Sequence, residues 1–389
     1  MDSTAQVDIL FISPSYPPNY CGVGKFTSQI IRILEKNNHN CYLITNKHQN
    51  NENFTDRING VSKFSLIDIN LTNLPNIIKA IYKIKPKTIN IQYNSVEFKR
   101  NLFPNFLPIL LKIFFPNIII QVTIHEFYIF TRLGKLRNFI STLVANKIFF
   151  SDFQQLNSYN KFTKNIFEQK TNILPLGANI PINELYLDET KYKKINQKIK
   201  ICFHGLIQAK NGLEYLINAL SKIDSSKYEL NILGDLKLLV DYGSEAKSVK
   251  LYQDFIKELI IKTGVTVNFL GDIDPKSPEF REILQKQDLF ILPDVTGITV
   301  RRSSFWNVFL QSKILALVSY TENESEDLFK DHLIIFKPKS SEEIYNKIKE
   351  VIEFDDIKLK EVYQNQQKLR EKYSPENLEQ QIVKLFETQ

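Results

Sequence analysis

The sequence predicts an α/β protein made of two doubly wound domains, each a parallel sheet flanked by helices. Three features predict it. Short apolar runs alternate with segments of helical period almost throughout, the mark of repeated β-α units. The alternation stops once, over the polar stretch Pro175–Gln197 with Pro175, Gly177, Pro181 and the lysine-rich run Lys191–Lys198, and then begins again. A length of 389 residues exceeds one ordinary core and suits two.

In the first half, strands are expected at Val7–Ser13, Cys41–Thr45, Thr88–Tyr93, Ile118–Ile124, Lys147–Phe150 and Thr171–Leu174. Helices are expected near Lys25–Lys36, Leu74–Lys85, Leu102–Phe114 and Asp152–Phe167. The second half repeats the pattern with strands at Ile199–Phe203, Glu229–Leu233, Thr266–Leu270, Asp288–Leu292, Ile314–Val318 and Leu333–Phe336. Two final helices, Asp356–Lys372 and Pro375–Glu387, have no strand partner and are expected to pack across the domain junction. The division is then a first domain over 1–180, a linker over 181–198, a second domain over 199–355 and terminal helices over 356–389. Ligands of doubly wound sheets bind at the carboxyl ends of the strands, so two such domains facing each other would enclose a cleft.

Composition narrows the class. With 43% hydrophobic and 24% charged residues the chain is globular, and no run approaches the ~20 apolar residues of a membrane span. The first residues lack the pattern of a secretory signal. Cys21, Cys41 and Cys202 are distant from one another and odd in number, which argues for thiols in a reducing cytoplasm and against a disulfide frame or zinc site. Residues 1–180 hold 20 Lys/Arg against 10 Asp/Glu, and residues 181–389 hold 30 against 33. A basic front half points to an anionic partner, either a membrane surface or nucleic acid. No nucleic-acid recognition motif accompanies the basic cluster Lys83, Lys85 and Lys87, so nucleic acid is set aside.

Four stretches can carry chemistry. After the first strand, Gly22 and Gly24 precede a helix and let backbone N–H groups approach a polar ligand. His125 and Glu126 follow a buried strand directly, and Gln92-Tyr93 ends another, so all are expected to line one cleft. Gly205 to Gly212 joins a strand to a helix and carries Lys210, a clamp for a diphosphate. The run from Pro293 to Phe305 contains Asp294, Thr296, Gly297, Arg301, Arg302, Ser303 and Ser304. There two arginines meet a helix start that Ser303 or Ser304 can cap, a setting that favours phosphate. No phosphate-loop motif, metal-ligand cluster or Ser-His-Asp order stands out.

In this order the four stretches resemble the family 4 glycosyltransferases, a retaining group of GT-B architecture with many enzymes of bacterial cell-surface polysaccharide synthesis. The likeness runs from Ile9 to about Phe386 and includes Pro17-Pro18, Leu174-Pro175-Leu176-Gly177, Leu233-Gly234-Asp235, Leu270-Gly271 and Asp288 to Pro293. It implies two Rossmann-like domains and transfer of a sugar from a nucleotide-diphosphate sugar to a glycan, glycolipid or small-molecule acceptor, without cofactor or metal. It also implies that Lys210, Arg301 and Arg302 neutralise the departing diphosphate while His125 orients the sugar. Gln92, Glu126, Gly22, Gly24, Gly205, Asp294, Thr296, Gly297, Ser303 and Ser304 would complete the binding surface. The sequence departs from the family where an arginine and a lysine are usual, at Leu206 and Asn211. The family's paired glutamates, eight positions apart, fall on Thr296 and Ser304. A non-sugar acceptor, and a nucleotide-sugar-binding subunit without activity, remain alternatives. The apolar, basic-edged segment Lys99 to Phe115 adds an expectation of peripheral attachment to the inner face of a membrane.

Overall fold

A computed structural model describes residues 7–17, 22–46, 64–94, 97–98, 101–127, 131–175, 198–234, 246–322 and 329–387. The chain divides into two compact units, Met1–Leu176 with Leu378–Gln389, and Gly177–Asn377. The expected linker lies outside the described residues except for Lys198.

Among the described residues the first unit holds a sheet of seven strands: β1 (Asp8–Ser13), β2 (Asn40–Thr45), β3 (Phe64–Leu66), β4 (Thr88–Tyr93), β5 (Ile119–Ile124), β6 (Lys147–Phe150) and β7 (Thr171–Ile173). Their order is β3-β2-β1-β4-β5-β6-β7, and every pairing is parallel. Helices α1 (Gly22–Lys36), α2 (Leu74–Ile84), α3 (Phe103–Phe114), α4 (Arg132–Thr142) and α5 (Phe153–Thr163) connect the strands. The strands are apolar in nearly continuous runs because helices cover both faces of such a sheet. Ile91, Val122, Ile124 and Phe150 from the sheet pack with Ile77, Leu107 and Leu111 from the helices.

Among the described residues the second unit holds a six-stranded sheet of β8 (Ile199–His204), β9 (Tyr228–Leu233), β10 (Val267–Gly271), β11 (Leu289–Leu292), β12 (Leu315–Ser319) and β13 (Ile334–Phe336). Its order is β10-β9-β8-β11-β12-β13, again with parallel pairings. Helices α6 (Leu213–Leu220), α7 (Ala246–Thr263), α8 (Pro278–Gln285), α9 (Ser303–Phe309) and α10 (Ser341–Ile352) accompany it.

The end of the chain passes from the second unit back to the first. Helix α11 (Asp356–Lys372) is fixed to the second unit by two buried polar side chains. Gln366 exchanges two 3.1 Å hydrogen bonds with the backbone of Ala316, and Arg370 donates to Phe309 O at 2.9 Å and Ile314 O at 3.0 Å. Helix α12 (Pro375–Glu387) lies on the first unit, where the Phe386 ring stacks on Phe149 and Lys147 donates to Leu385 O. Cys41 and Cys202 are buried thiols, and Cys21 lies outside the described residues. Among the described residues no helix is long and apolar enough to cross a membrane.

Candidate functional site

In each sheet the chain order reverses at one place, between β1 and β4 in the first unit and between β8 and β11 in the second. Strand ends at such a reversal leave room for a ligand because their connections leave on opposite faces. The candidate residues gather at or beside these two places.

In the second unit the loops after β8 and β11 are locked together. Gly212 has φ +66°, and a Cβ on it would stand 2.0 Å from Pro293 O, so a residue with a side chain would drive the loops apart. The Val295 N–H donates to Lys210 O at 3.0 Å across the same contact. Asn211 donates to Leu206 O at 2.6 Å and accepts from Arg302 Nη1 at 3.3 Å. Arg302 also forms an ion pair with Asp294, whose carboxylate is fully buried. The other Asp294 oxygen accepts from the Thr296 N–H at 2.9 Å and its hydroxyl at 2.8 Å. Gly205 closes the group, with Ser304 Cβ 3.5 Å from where its own Cβ would be.

The floor under these loops is rigid. Trp306 donates to Val300 O at 2.6 Å and stacks on Tyr373 at 4.4 Å between ring centroids. Ser319 donates to Asp294 O at 2.6 Å, and the Ile298 N–H donates to Ser319 O at 2.8 Å. Gly297 sits at φ +83° against Thr321. Arg302, rather than Ser303 or Ser304, occupies the cap position of α9 and makes no side-chain cap bond. The expected serine cap is therefore corrected: the Arg302 side chain is committed to Asp294 and Asn211 instead. Lys210 has an exposed side chain, and Arg301 and Ser303 are half-buried beside the group. Asp294 and Arg302 stand eight residues apart, the spacing anticipated for two glutamates, and meet as opposite charges. His204, at the end of β8, is buried and bonded to Leu233 O at 3.1 Å, and burial pushes its pKa down to about 4.

In the first unit His125 follows β5, and its imidazole Nε2 is 2.8 Å from Gln92 Oε1. The edge of the ring meets Phe26 of α1, with centroids 5.0 Å apart. Its backbone is held by Gln155, which donates to His125 O at 2.6 Å and accepts from the Phe127 N–H. Gln92 is fully buried, so its side chain serves His125 from behind. Gly24 is buried where α1 crosses the turn after β1, and a Cβ there would stand 3.0 Å from Tyr16 Cα. Gly22 is exposed with open space around it, and Glu126 is half-buried.

Sequence reasoning missed Asn90, Gln121 and Gln155, which support His125, and assigned no role to Thr123 or to Asn211 beside Arg302. A signal for three of them was present. Asn90 and Gln92, and Gln121 and Thr123, alternate with apolar residues, and β4 and β5 pair them directly across the sheet.

No family model matches the chain, and no curated relative matches it. Solved structures do. A glycosyltransferase from Rickettsia africae ESF-5 superposes with a TM-score of 0.71 at 14% identity, over 98% of both chains. The Anabaena protein HepE, solved with UDP and glucose, gives 0.68 at 12% identity over 98% of this chain and 99% of its own. The chain has the GT-B fold. The catalytic domain of starch synthase IV from Arabidopsis thaliana, bound to ADP and acarbose, gives 0.58 at 10% identity over 98% and 100%.

Proposed function

We propose that this GT-B protein is a retaining glycosyltransferase that takes a sugar from a nucleotide-diphosphate donor. One observation carries the reading: an arginine held by a buried carboxylate and an amide at the strand reversal of the second unit, beside Gly205 and Ser304. Similar folds have been solved with UDP and glucose and with ADP and acarbose, which supports a nucleotide donor here.

In this reading the diphosphate lies against Gly205, Ser303 and Ser304, with Arg301, Arg302 and Lys210 supplying positive charge. Preorganised cations stabilise the negative charge that grows on a leaving diphosphate, and they do so without reorganisation. As the bond to the diphosphate lengthens the sugar becomes oxocarbenium-like, and a diphosphate oxygen on the same face takes the acceptor's proton. Configuration is thereby kept, and the step needs neither a side-chain base nor a metal. His125 orients the sugar.

Calorimetry with UDP, ADP and GDP and their glucose conjugates tests donor binding, and consumption of the bound donor tests transfer. No binding of any of the six overturns the reading; binding without turnover under any acceptor makes the protein a nucleotide-sugar-binding subunit. The anomeric configuration of the product, read by NMR, decides retention.

For the acceptor we propose a glycan or glycolipid at the inner face of a membrane, as in polysaccharide synthesis. Helices α3 and α4 pack together and expose Leu102, Phe106, Leu133 and Leu136, with Arg132 among them. An amphipathic surface of this kind can seat in a headgroup layer, where each cation adds about 1 kcal/mol. Lys112 is bonded to Ile118 O at 2.7 Å and is discounted from that set, and Lys99 and Arg100 lie outside the described residues. Flotation with anionic vesicles that fails at low salt would refute this assignment.

A further inference from the structure

A row of polar side chains runs through the middle of the first sheet. Asn90, Gln92, Gln121 and Thr123 are all at most 1% exposed, and His125 stands at the end of the row. A strand covered on both faces ordinarily carries Val, Ile or Leu at such positions. Replacing both partners of a buried hydrogen bond by apolar groups of the same shape is close to neutral, so packing does not call for the row.

The hydrogen bonds of the row run in one direction. Asn90 Nδ2 donates to Gln121 Oε1 at 3.3 Å. Asn90 Oδ1 accepts from Gln92 Nε2 at 2.6 Å and from the Thr123 hydroxyl at 3.2 Å. Gln92 Nε2 also lies 3.3 Å from Thr123 Oγ1. With its nitrogen turned toward Asn90 and Thr123, Gln92 presents its oxygen to His125 Nε2. A carboxamide oxygen only accepts, so the ring nitrogen facing it must carry the hydrogen. Gln155 fixes the backbone from which the ring extends, and Phe26 packs against the ring itself, so an imidazole that turned away from Gln92 would lose the Phe26 contact as well.

We propose that Gln121, Asn90, Thr123 and Gln92 form a positioning relay that orients the His125 ring and keeps a hydrogen on its Nε2. When the ring is uncharged, Nδ1 is then its accepting nitrogen, the role that a donor such as a sugar hydroxyl complements. Only the identity of that hydroxyl rests on the glycosyl-transfer reading. The tautomer does not.

The test needs no substrate, so its failure is separate from failure of that reading. Protein labelled with ¹⁵N-histidine is examined by NMR at a pH where the ring is neutral, and His125→Asn identifies the signal among five histidines. Wild type and Gln92→Glu, which keeps an accepting oxygen, should show the proton on Nε2. Gln92→Met should show both tautomers in exchange. Asn90→Ala removes the acceptor that orients the Gln92 amide, so the amide can flip and shift the ring toward Nδ1–H. This second variant carries the test if Gln92→Met does not fold. A merely structural row would leave the tautomer unchanged in any folded variant. Wild-type protein protonated on Nδ1, or wild-type shifts in folded Gln92→Met and Asn90→Ala, would overturn the relay.

Discussion

Replacing Arg302 by methionine isolates what the ion pair with Asp294 is worth. The two partners are unequally exposed: the arginine side chain is 23% accessible and the aspartate 1%. Truncating the arginine therefore leaves a carboxylate that cannot reach water. Breaking a buried pair from one side costs about 3–5 kcal/mol, because the remaining charge loses its compensation. Asp294 keeps its two bonds from Thr296, so the expected loss falls at about 2–4 kcal/mol. An arginine serving only as an exposed clamp would cost about 0.5 kcal/mol or less. The protein carries a single tryptophan, Trp306, whose backbone N–H donates to Arg302 O at 3.2 Å in the second unit. Its fluorescence during urea unfolding thus reports the stability of the unit in question. The double variant Asp294→Asn, Arg302→Met removes both charges and keeps oxygen for Thr296, and it should recover most of the loss. A single variant within about 0.5 kcal/mol of wild type, or a double variant no better than the single one, would refute the pairing argument.

Other outcomes follow from the same geometry. Gly212→Ala should lower the stability of the second unit by more than about 1–2 kcal/mol, since a positive φ alone costs that much and the Cβ meets Pro293 O as well; an unchanged Trp306 unfolding midpoint would count against it. Gln155→Leu strands the buried His125 carbonyl and Phe127 N–H, so a loss of about 2–4 kcal/mol is expected, measured by the far-ultraviolet unfolding curve. His204 is pushed down to about 4 by burial, whereas an unfolded histidine titrates near about 6.5. As pH falls from about 6.5 to 4 the unfolded chain binds a proton that the folded one refuses, so stability drops by an amount on the order of 3 kcal/mol. His204→Asn should flatten that slope, and an unaltered slope would assign the acid sensitivity elsewhere.

The strands were legible where an apolar run is long enough to be buried on both faces. Thr88–Tyr93 and Lys147–Phe150 match their expected bounds, and the rest fall within a residue or two. Two elements of the first unit escaped. Strand β3 has three residues, all half-buried at the edge of the sheet, which is too short for any period to show. Helix α4 inverts the usual pattern: it buries Asn138, Ser141 and Thr142 and exposes Leu133 and Leu136. Leu133 and Leu136 therefore face away while Phe139 packs on the core, and the buried polar side chains are satisfied by hydrogen bonds such as that between Thr142 Oγ1 and the Tyr159 hydroxyl at 2.7 Å. At the candidate site, the residue types were readable and their pairing was not. Arg302 reaches Asp294 and Asn211 because the close approach at Gly212 joins two loops that are far apart in sequence.

Charge counted by halves describes a surface and not the groups that meet at either site. The first 180 residues carry the positive excess, yet the row that converges on His125 consists of amides and a hydroxyl. Uncharged donors and acceptors can order an imidazole without setting up a field that would bind anions nonspecifically. The second half is slightly acidic overall, yet it is there that an arginine is fixed at the strand reversal. The buried Asp294 makes that possible, since an ion pair with a buried carboxylate anchors the guanidinium and limits the self-repulsion of Arg301 and Arg302. Net charge describes what a surface attracts from a Debye length away, about 8–10 Å in physiological salt. The chemistry of a site is decided within 3–4 Å, by which single groups the fold brings into contact.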